Sequence, residues 1–394
     1  MRRVIYSRFG EAEELQLIES DMPVPGDGQV CVAVAGAGLN PIDWKTRKGL
    51  GFAAQQIADR LPWTPGYDLS GIVTEVGDDV TTLAPGDRVM GLVGFPSGGG
   101  AYAEYALARA DELILVPEEM DLVEAGGLPL AALTAWQGLF EVAELEPEHK
   151  VLIHAGAGGV GHLAIQFAKA RGAHVIATAS AGNSDFLATL GADEVIDYAH
   201  DDFTDACYGL DVVFDLVGGD TGHRSLHTLG EHGVLVTVPT VTADPIITEA
   251  ENMGLRAHGM TVRPDVFHLD EIAELIEDGD VRLHVETIYP LDAVVEAHRQ
   301  LQTGRGRARK CCAASPHTLN SERWQTARQS SRQAGSGDGS AAGPLLSFSF
   351  SLRSFGGWDG TRLISFQPFS SLNVVSAVTA YIRSRGSITN ISRA

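Results

Sequence analysis

Lysine is nearly missing from the first 304 residues, which hold only Lys45, Lys48, Lys150 and Lys169. Over that stretch 17 Lys+Arg face 48 Asp+Glu. So acidic a body repels a phosphate backbone, which argues against nucleic acid as its partner. The same excess keeps a chain soluble where salt screens its self-repulsion, and a halophilic setting is expected. Cysteine is also scarce: Cys31, Cys207, Cys311 and Cys312 have neither metal-ligand spacing nor the density of a disulfide framework. No apolar run approaches the roughly 20 residues that span a bilayer. Basic residues in 1–10 lead into the acidic stretch 11–19 rather than into an apolar block, so no leader is read there. The expectation is a cytoplasmic protein without a membrane partner.

What is present supports sizeable buried cores. The chain has 394 residues, 44 % of them apolar, enough for two or three domains. Its charge balance reverses near Gly304, because residues 305–394 hold 12 Lys+Arg against 3 Asp+Glu. That tail is rich in serine and glycine, as in "SSRQAGSGDGSAAG", and shows no steady helical or strand period.

From Lys150 onward, apolar runs alternate with helical segments. "VLIHA", "HVIATAS", "DEVIDY", "DVVFDLVGG", "HGVLVTVP" and "LRAHGMTV" read as six strands, a pattern that predicts a doubly wound parallel sheet. The first 120 residues differ. Short strand-like runs such as "QVCVAVAGAGL", "LSGIVTEVG", "DRVMGLV" and "AYAEYAL" are punctuated by "PVPGDG", "TPGYD" and "APGDR", which predicts a mainly β domain. The overall class is therefore α/β. "LDEIAELIEDGD" and "LDAVVEAHRQLQ" are expected to be helices that return the chain toward the first domain.

Between the first strand and its helix lies Gly156-Ala157-Gly158-Gly159-Val160-Gly161, a G-x-G-x-x-G pattern. In a strand-turn-helix context it predicts dinucleotide binding: Gly156 for the tight turn, Gly158 for close approach of a pyrophosphate, and Gly161 for packing of helix on strand. The helix N-terminus then offers amides to phosphate. At the end of the second strand no acid occurs before Asp185, so nothing there repels a 2′-phosphate and NADP(H) is favoured. Ser180, Asn183 and Tyr198 are the candidate neutral donors, although a capping role for the first two and a plain surface role for Tyr198 explain them nearly as well.

The stretches "GLNPIDWKTRKG", "PGYDLSGIVTEVGDDV", "PGDRV", "AYAEYAL", "LPLAALTAWQGL", "HAGAGGVGHLAIQFAKARGA" and "LGADEVIDY" occur in one order across nearly all of residues 1–304. In these the sequence resembles the quinone oxidoreductase (zeta-crystallin-like) branch of the medium-chain dehydrogenase/reductase superfamily. The resemblance implies a GroES-like domain over residues 1–122, completed by 262–308, and a Rossmann domain over 123–261 that carries NADPH. It implies further that Thr134 lies near the nicotinamide and that Tyr198 assists the 2′-phosphate. A lysine common near Asn183 in such reductases is missing here. Homodimerisation is expected from the resemblance alone.

Zinc enzymes of the same superfamily place a cysteine where this chain has Asn40, and Gly-His-Glu where it has Gly66-Tyr67-Asp68. Neither Asn nor Tyr can complete such a site, and no zinc is expected. Without a Lewis acid an alkoxide lacks its stabiliser, whereas a quinone or enone spreads the arriving charge over its own conjugated system. Asn40, Asp43 and Tyr67 are the candidate catalytic residues, with Asp68 beside them: the resemblance puts Asn40 and Asp43 at the cleft, where the Asn40 amide could meet a substrate oxygen and Tyr67 could supply a proton. Equally, Asn40 could brace the loop before Pro41 and Asp43 could cap a short helix. The family's body closes with a terminal strand, but here "RGRARKCCAAS" follows the last helix and the charge flips. Residues 309–394 are accordingly expected to be an aberrant, disordered tail produced by a shifted reading frame near residue 307, with the terminal strand lost. The expected function is an NADPH:quinone oxidoreductase; the alternatives are an NADPH-dependent enone or enoyl reductase and a non-catalytic NADPH-binding protein.

Overall fold

The computed structural model describes residues 1–304 and 309–313. Fifteen strands occur among them: β1 Arg2–Ile5, β2 Gln16–Glu19, β3 Gln29–Gly38, β4 Asp68–Val76, β5 Arg88–Leu92, β6 Tyr105–Arg109, β7 Leu113–Leu115, β8 Lys150–Ile153, β9 His174–Ala179, β10 Glu194–Asp197, β11 Leu210–Asp215, β12 Leu229–Thr237, β13 Arg256–Gly259, β14 Val285–Pro290 and β15 Arg309–Ala313. No helix among the described residues is long and apolar enough to cross a membrane.

The six runs read as strands after Lys150 form one sheet in the order β10-β9-β8-β11-β12-β13, and every pairing in it is parallel. The order reverses beside β8, as in dinucleotide-binding sheets. The strands read as unbroken apolar runs because both faces are covered. Val151, Ile153, Val175, Ala177, Val212 and Phe214 enter one core, while Leu152, Ile176, Val213 and Leu235 enter another on the opposite face.

The first core continues into the other sheet through the helix Pro129–Trp136 and reaches Tyr67, Met90 and Leu92. That second sheet runs β14-β15-β3-β4-β5-β7, with β6 also pairing β3. Its longest strand, β3, is buried over nine of its ten residues. The connector helix Leu122–Ala125 crosses β3 backbone to backbone: a Cβ on Gly36 would lie 2.1 Å from the Val123 carbonyl oxygen, and one on Gly126 2.4 Å from the Gly36 carbonyl carbon. Glycine at both positions is what lets the two backbones touch.

Of the two helices expected to return the chain to the first sheet, only the second enters that sheet's own core. Leu291, Val294 and Ala297 join the core that contains Val30, Val32 and Val34, whereas Leu269 and Ile272 of the helix Val266–Glu277 enter the core shared with the parallel sheet. Arg47 clamps this return, its guanidinium donating to the Gly10 carbonyl at 2.5 Å, to Gln302 Oε1 at 3.0 Å and to His298 Nδ1 at 3.4 Å. Burial and the nearby Arg47 cation push the His298 pKa down to about 3, so the ring is neutral and can accept.

One expectation is corrected here. Residues 309–313 are not tail but β15, parallel to β14 and antiparallel to β3, with Cys311 buried. A strand is recruited by backbone pairing, and β3 at Gly36, Ala37 and Gly38 takes its ladder partners from β15 whatever the side-chain pattern. Residues 314–394, the remainder of the expected tail, lie outside the described residues.

Candidate active site

The glycine turn follows β8 at the point where the strand order reverses, and it opens the helix Gly161–Ala170. Its sharp bend falls one residue before the predicted one: Ala155, not Gly156, carries the positive φ of 51°. Gly156 is needed for space instead. A Cβ there would lie 3.0 Å from Ala177 Cβ and 3.0 Å from Leu187 Cδ2, while its amide donates to the Thr178 carbonyl at 2.9 Å. Gly161 lets the helix close on the strand, since a Cβ would stand 2.4 Å from the Ala155 carbonyl oxygen. Ala157 is buried in the shared core, whereas Gly158, Gly159 and Val160 are partly exposed. The amides of Gly159 and Val160 have no partner among the described residues. Two accessible N–H groups beside a helix N-terminus, with glycine where a ligand must approach, form a cradle suited to a pyrophosphate.

Two histidines that the sequence reading passed over hold this turn. His154, the fourth residue of "VLIHA", lies 3.1 Å through Nδ1 from Thr178 Oγ1 and 2.9 Å through Nε2 from Ser225 Oγ. The Ser225 hydroxyl donates to the Thr221 carbonyl at 2.7 Å, so Nε2 must carry the proton and Nδ1 accepts from Thr178. Thr178 Oγ1 in turn accepts the Ala155 amide at 3.3 Å, which ties the bent residue to the network. Burial holds the His154 pKa down at about 4. His162 lies 3.0 Å through Nδ1 from the Gly158 carbonyl and accepts the His284 amide at 3.3 Å. No sequence signal reveals these contacts, because the partners of His154 and His162 stand up to 122 residues away.

The low pKa values carry a stability prediction. Unfolded histidine titrates near 6.5, above the folded values of His154 and His298, so the unfolded chain binds more protons between about pH 6.5 and 4. The stabilisation is complete above that window and drains away as pH falls through it. Thermal unfolding at pH 7 and pH 5 should show Tm lower by roughly 5–10 °C at pH 5; equal values would contradict the two buried neutral rings.

At the ends of β9 and β10 the structure brings Ser180, Asn183 and Tyr198 together. Asn183 Nδ2 donates to Ser180 Oγ at 3.1 Å, and the Tyr198 amide donates to the Ala179 carbonyl at 3.2 Å, Tyr198 as a whole being 62 % exposed. Register also places an acid here that a linear reading overlooks, since Asp197 stands opposite Ala179. Thr134 is buried on Pro129–Trp136, and its hydroxyl donates to the Leu130 carbonyl at 2.6 Å.

The candidate catalytic residues are buried and already engaged. Asn40 Nδ2 donates to Asp68 Oδ2 at 2.8 Å, and Asp68 Oδ1 accepts the Leu130 amide at 2.7 Å. Asp43 Oδ2 accepts the Asn40 amide at 2.8 Å and the Tyr102 hydroxyl at 3.1 Å, which makes it the N3 partner of the N-cap Asn40 in a capping box on the helix Pro41–Arg47. The Tyr67 hydroxyl donates to the Pro96 carbonyl at 3.0 Å, and burial raises its pKa far above the ordinary phenol range. Asn40 and Asp68 thus tie β4 to the helices Pro41–Arg47 and Pro129–Trp136, and the donor atoms of Asn40 and Tyr67 point at protein partners. Beside them Phe95 meets Tyr67 edge-on at 5.2 Å and Phe52 at 6.3 Å, both phenylalanines partly exposed. Phe95 and Ile42 pack on the core that also holds Ala157 of the glycine turn.

Known proteins share this fold. Residues 26–118 match the alcohol dehydrogenase GroES-like domain and residues 190–309 the zinc-binding dehydrogenase family. A 2-methylene-furan-3-one reductase of Solanum lycopersicum is 34 % identical over 316 residues, covering 77 % of each chain. The quinone oxidoreductase structure from Coxiella burnetii is 41 % identical with a TM-score of 0.77, over 80 % of this chain and 99 % of that one. This chain belongs to the quinone oxidoreductase branch of the medium-chain dehydrogenase/reductase superfamily. The Escherichia coli quinone oxidoreductase complexed with NADPH also superimposes, at 28 % identity and a TM-score of 0.71, over 79 % of this chain and 100 % of that one. As a member of this branch, the protein is an NAD(P)-dependent oxidoreductase of small molecules.

Proposed function

We propose that the protein is an NADPH-dependent, zinc-independent reductase of conjugated carbonyl compounds, with quinones as its first substrate class. The observation that carries this reading is the state of the zinc positions. Asn40 uses its amide N–H on Asp68, both Asp68 oxygens accept hydrogen bonds, and Tyr67 is a buried phenol, so the set offers no thiolate or imidazole to a metal. When bound, NADPH supplies a hydride, which a quinone or enone accepts without a Lewis acid because its own π-system delocalises the charge. The residues of this chain position the partners. Gly158, Gly159 and Val160 would receive the pyrophosphate, Ser180, Asn183 and Tyr198 the adenosine end, and Thr134 lies on the helix that joins the two sheets. Phe52 and Phe95 offer partly exposed ring faces and edges to a flat substrate. Names among the relatives support both a quinone and an enone as acceptor, the tomato reductase being named for an exocyclic enone.

The test is NADPH oxidation by the purified chain in high salt, with quinones, enones, saturated aldehydes and primary alcohols presented in turn. Turnover is expected with a quinone or enone, none with the saturated aldehyde or alcohol, and no loss of rate after exhaustive chelation. A rate that chelation abolishes and zinc restores would overturn the zinc-independent reading. Tight NADPH binding with no turnover on any acceptor would favour a non-catalytic binding protein.

A further inference from the structure

The turn that follows β9 has no cation to hold a 2′-phosphate: Ser180, Ala181, Gly182 and Asn183 are all neutral. The neighbouring strand makes the difficulty worse. Asp197 pairs in register with Ala179, at the start of the turn that would receive the 2′-phosphate, and its pKa is held down by the His200 hydrogen bond first and, far more weakly, by the Ala181 amide. An unbalanced acid at that point favours the 2′-hydroxyl of NADH over the 2′-phosphate of NADPH. It is not unbalanced. His200 Nδ1 lies 2.6 Å from Asp197 Oδ2, and Asp197 Oδ1 accepts the Ala199 amide at 3.2 Å.

We propose that His200, held by Asp197, is the residue that recognises the 2′-phosphate in this chain and sets its preference for NADPH over NADH. The proposal rests on the NADPH reading above. Its geometry is simple. Nδ1 is fixed on Asp197, Nε2 has no partner among the described residues, and 77 % of the side chain is exposed two residues past Tyr198. A ring anchored at one nitrogen presents the other N–H to an anion, which is the arrangement that lets a histidine act as a charged donor. The charged groups acting on it are Asp197 and Asp201, both of which hold the pKa of His200 above its ordinary value, Asp197 being the larger cause. The turn of residues 180–183 carries no charge, and the next acid along it is the exposed Asp185. Protonated, His200 cancels Asp197 and adds a donor; neutral, it leaves the acid facing the turn.

The experiment is calorimetric titration of the full chain with 2′,5′-ADP and with 5′-AMP, alongside fluorescence titration with NADPH and NADH. It compares the parent with His200→Gln and His200→Lys, after thermal unfolding confirms that each variant folds. His200→Gln should weaken 2′,5′-ADP and NADPH about tenfold, the loss expected for one charge-assisted hydrogen bond, while 5′-AMP and NADH change less than twofold. His200→Lys should restore the preference and make it independent of pH between 6 and 8.5, whereas the parent loses preference across that range. A parent that prefers 2′,5′-ADP together with a His200→Gln variant that keeps the same preference would overturn the assignment of His200 alone. Equal weakening of all four ligands would do so too, by showing a merely structural role. A parent that does not distinguish 2′,5′-ADP from 5′-AMP would overturn the NADPH reading itself and the assignment with it.

Discussion

A Gly158→Val variant should bind NADPH at least 100-fold more weakly than the parent, while its Tm stays within about 3 °C. The two effects separate because of where the added atoms go. At Gly158 a Cβ meets only the Ala155 carbonyl oxygen, at 3.1 Å, and the residue is partly exposed, so the fold can yield by a few tenths of an ångström. The valine methyls then stand over the amides of Gly159 and Val160, where the pyrophosphate is expected. Losing two charge-assisted hydrogen bonds to an anion amounts to about 3 kcal/mol, or roughly 100-fold. Gly161→Val serves as the contrast. Its Cβ would lie 2.4 Å from a backbone oxygen and 2.8 Å from Gly156 Cα, with no room to move, and the chain should lose stability rather than affinity alone. Fluorescence titration and thermal unfolding on the same samples give both readings. An NADPH Kd within threefold of the parent in folded Gly158→Val would remove the turn from the cofactor site.

Asp68→Ala is expected to be the most destabilising single change among Asn40, Asp43, Tyr67 and Asp68, by about 3–5 kcal/mol. Asp68 is fully buried, and its two oxygens satisfy Asn40 Nδ2 and the Leu130 amide. Truncation strands both donors without water. It also cuts the link between β4 and the helix Pro129–Trp136, the element that carries Thr134 between the sheets. For a chain of this size the loss corresponds to a fall in Tm of roughly 6–12 °C. Asp68→Asn should cost less, because its amide oxygen still accepts from one of the two donors. A fall in Tm below about 2 °C for Asp68→Ala would show that this polar cluster is not the brace described here. Retained stability together with recovered activity on added zinc would instead make it a metal site.

Much of this was legible in the residues, for physical reasons. Six strands were readable because a parallel sheet covered on both faces needs continuous apolar runs, and Val151 to Ile153 or Val212 to Phe214 can hardly be anything else. The glycine turn was readable because close backbone approach admits no side chain. Its fine geometry was not: the positive φ falls at Ala155, stabilised by a network in which His154 meets Thr178 and Ser225, 24 and 71 positions further along the chain from His154. The roles suggested for Asn40, Asp43 and Tyr67 came from position in a family pattern, and only the hydrogen bonds reveal that these groups are occupied with one another and with the protein. β15 escaped notice because charge and composition describe side chains, whereas an open ladder beside β3 is filled by any backbone that can reach it. Asp197 was invisible as a neighbour of Ala179 for a similar reason, since parallel register is a property of two strands and of neither sequence alone.

The central claim is hydride transfer from NADPH, held at the turn after β8, to a conjugated acceptor. Its most direct test is incubation of the purified chain with NADPH carrying deuterium at the transferable position of C4 and an α,β-unsaturated ketone, in parallel with a quinone. The account predicts stoichiometric NADPH oxidation, deuterium on the β-carbon of the reduced ketone, and unlabelled hydroquinone where the label leaves through exchange with water. Deuterium found instead on the carbinol carbon of an alcohol product, formed at a rate that depends on zinc, would contradict it.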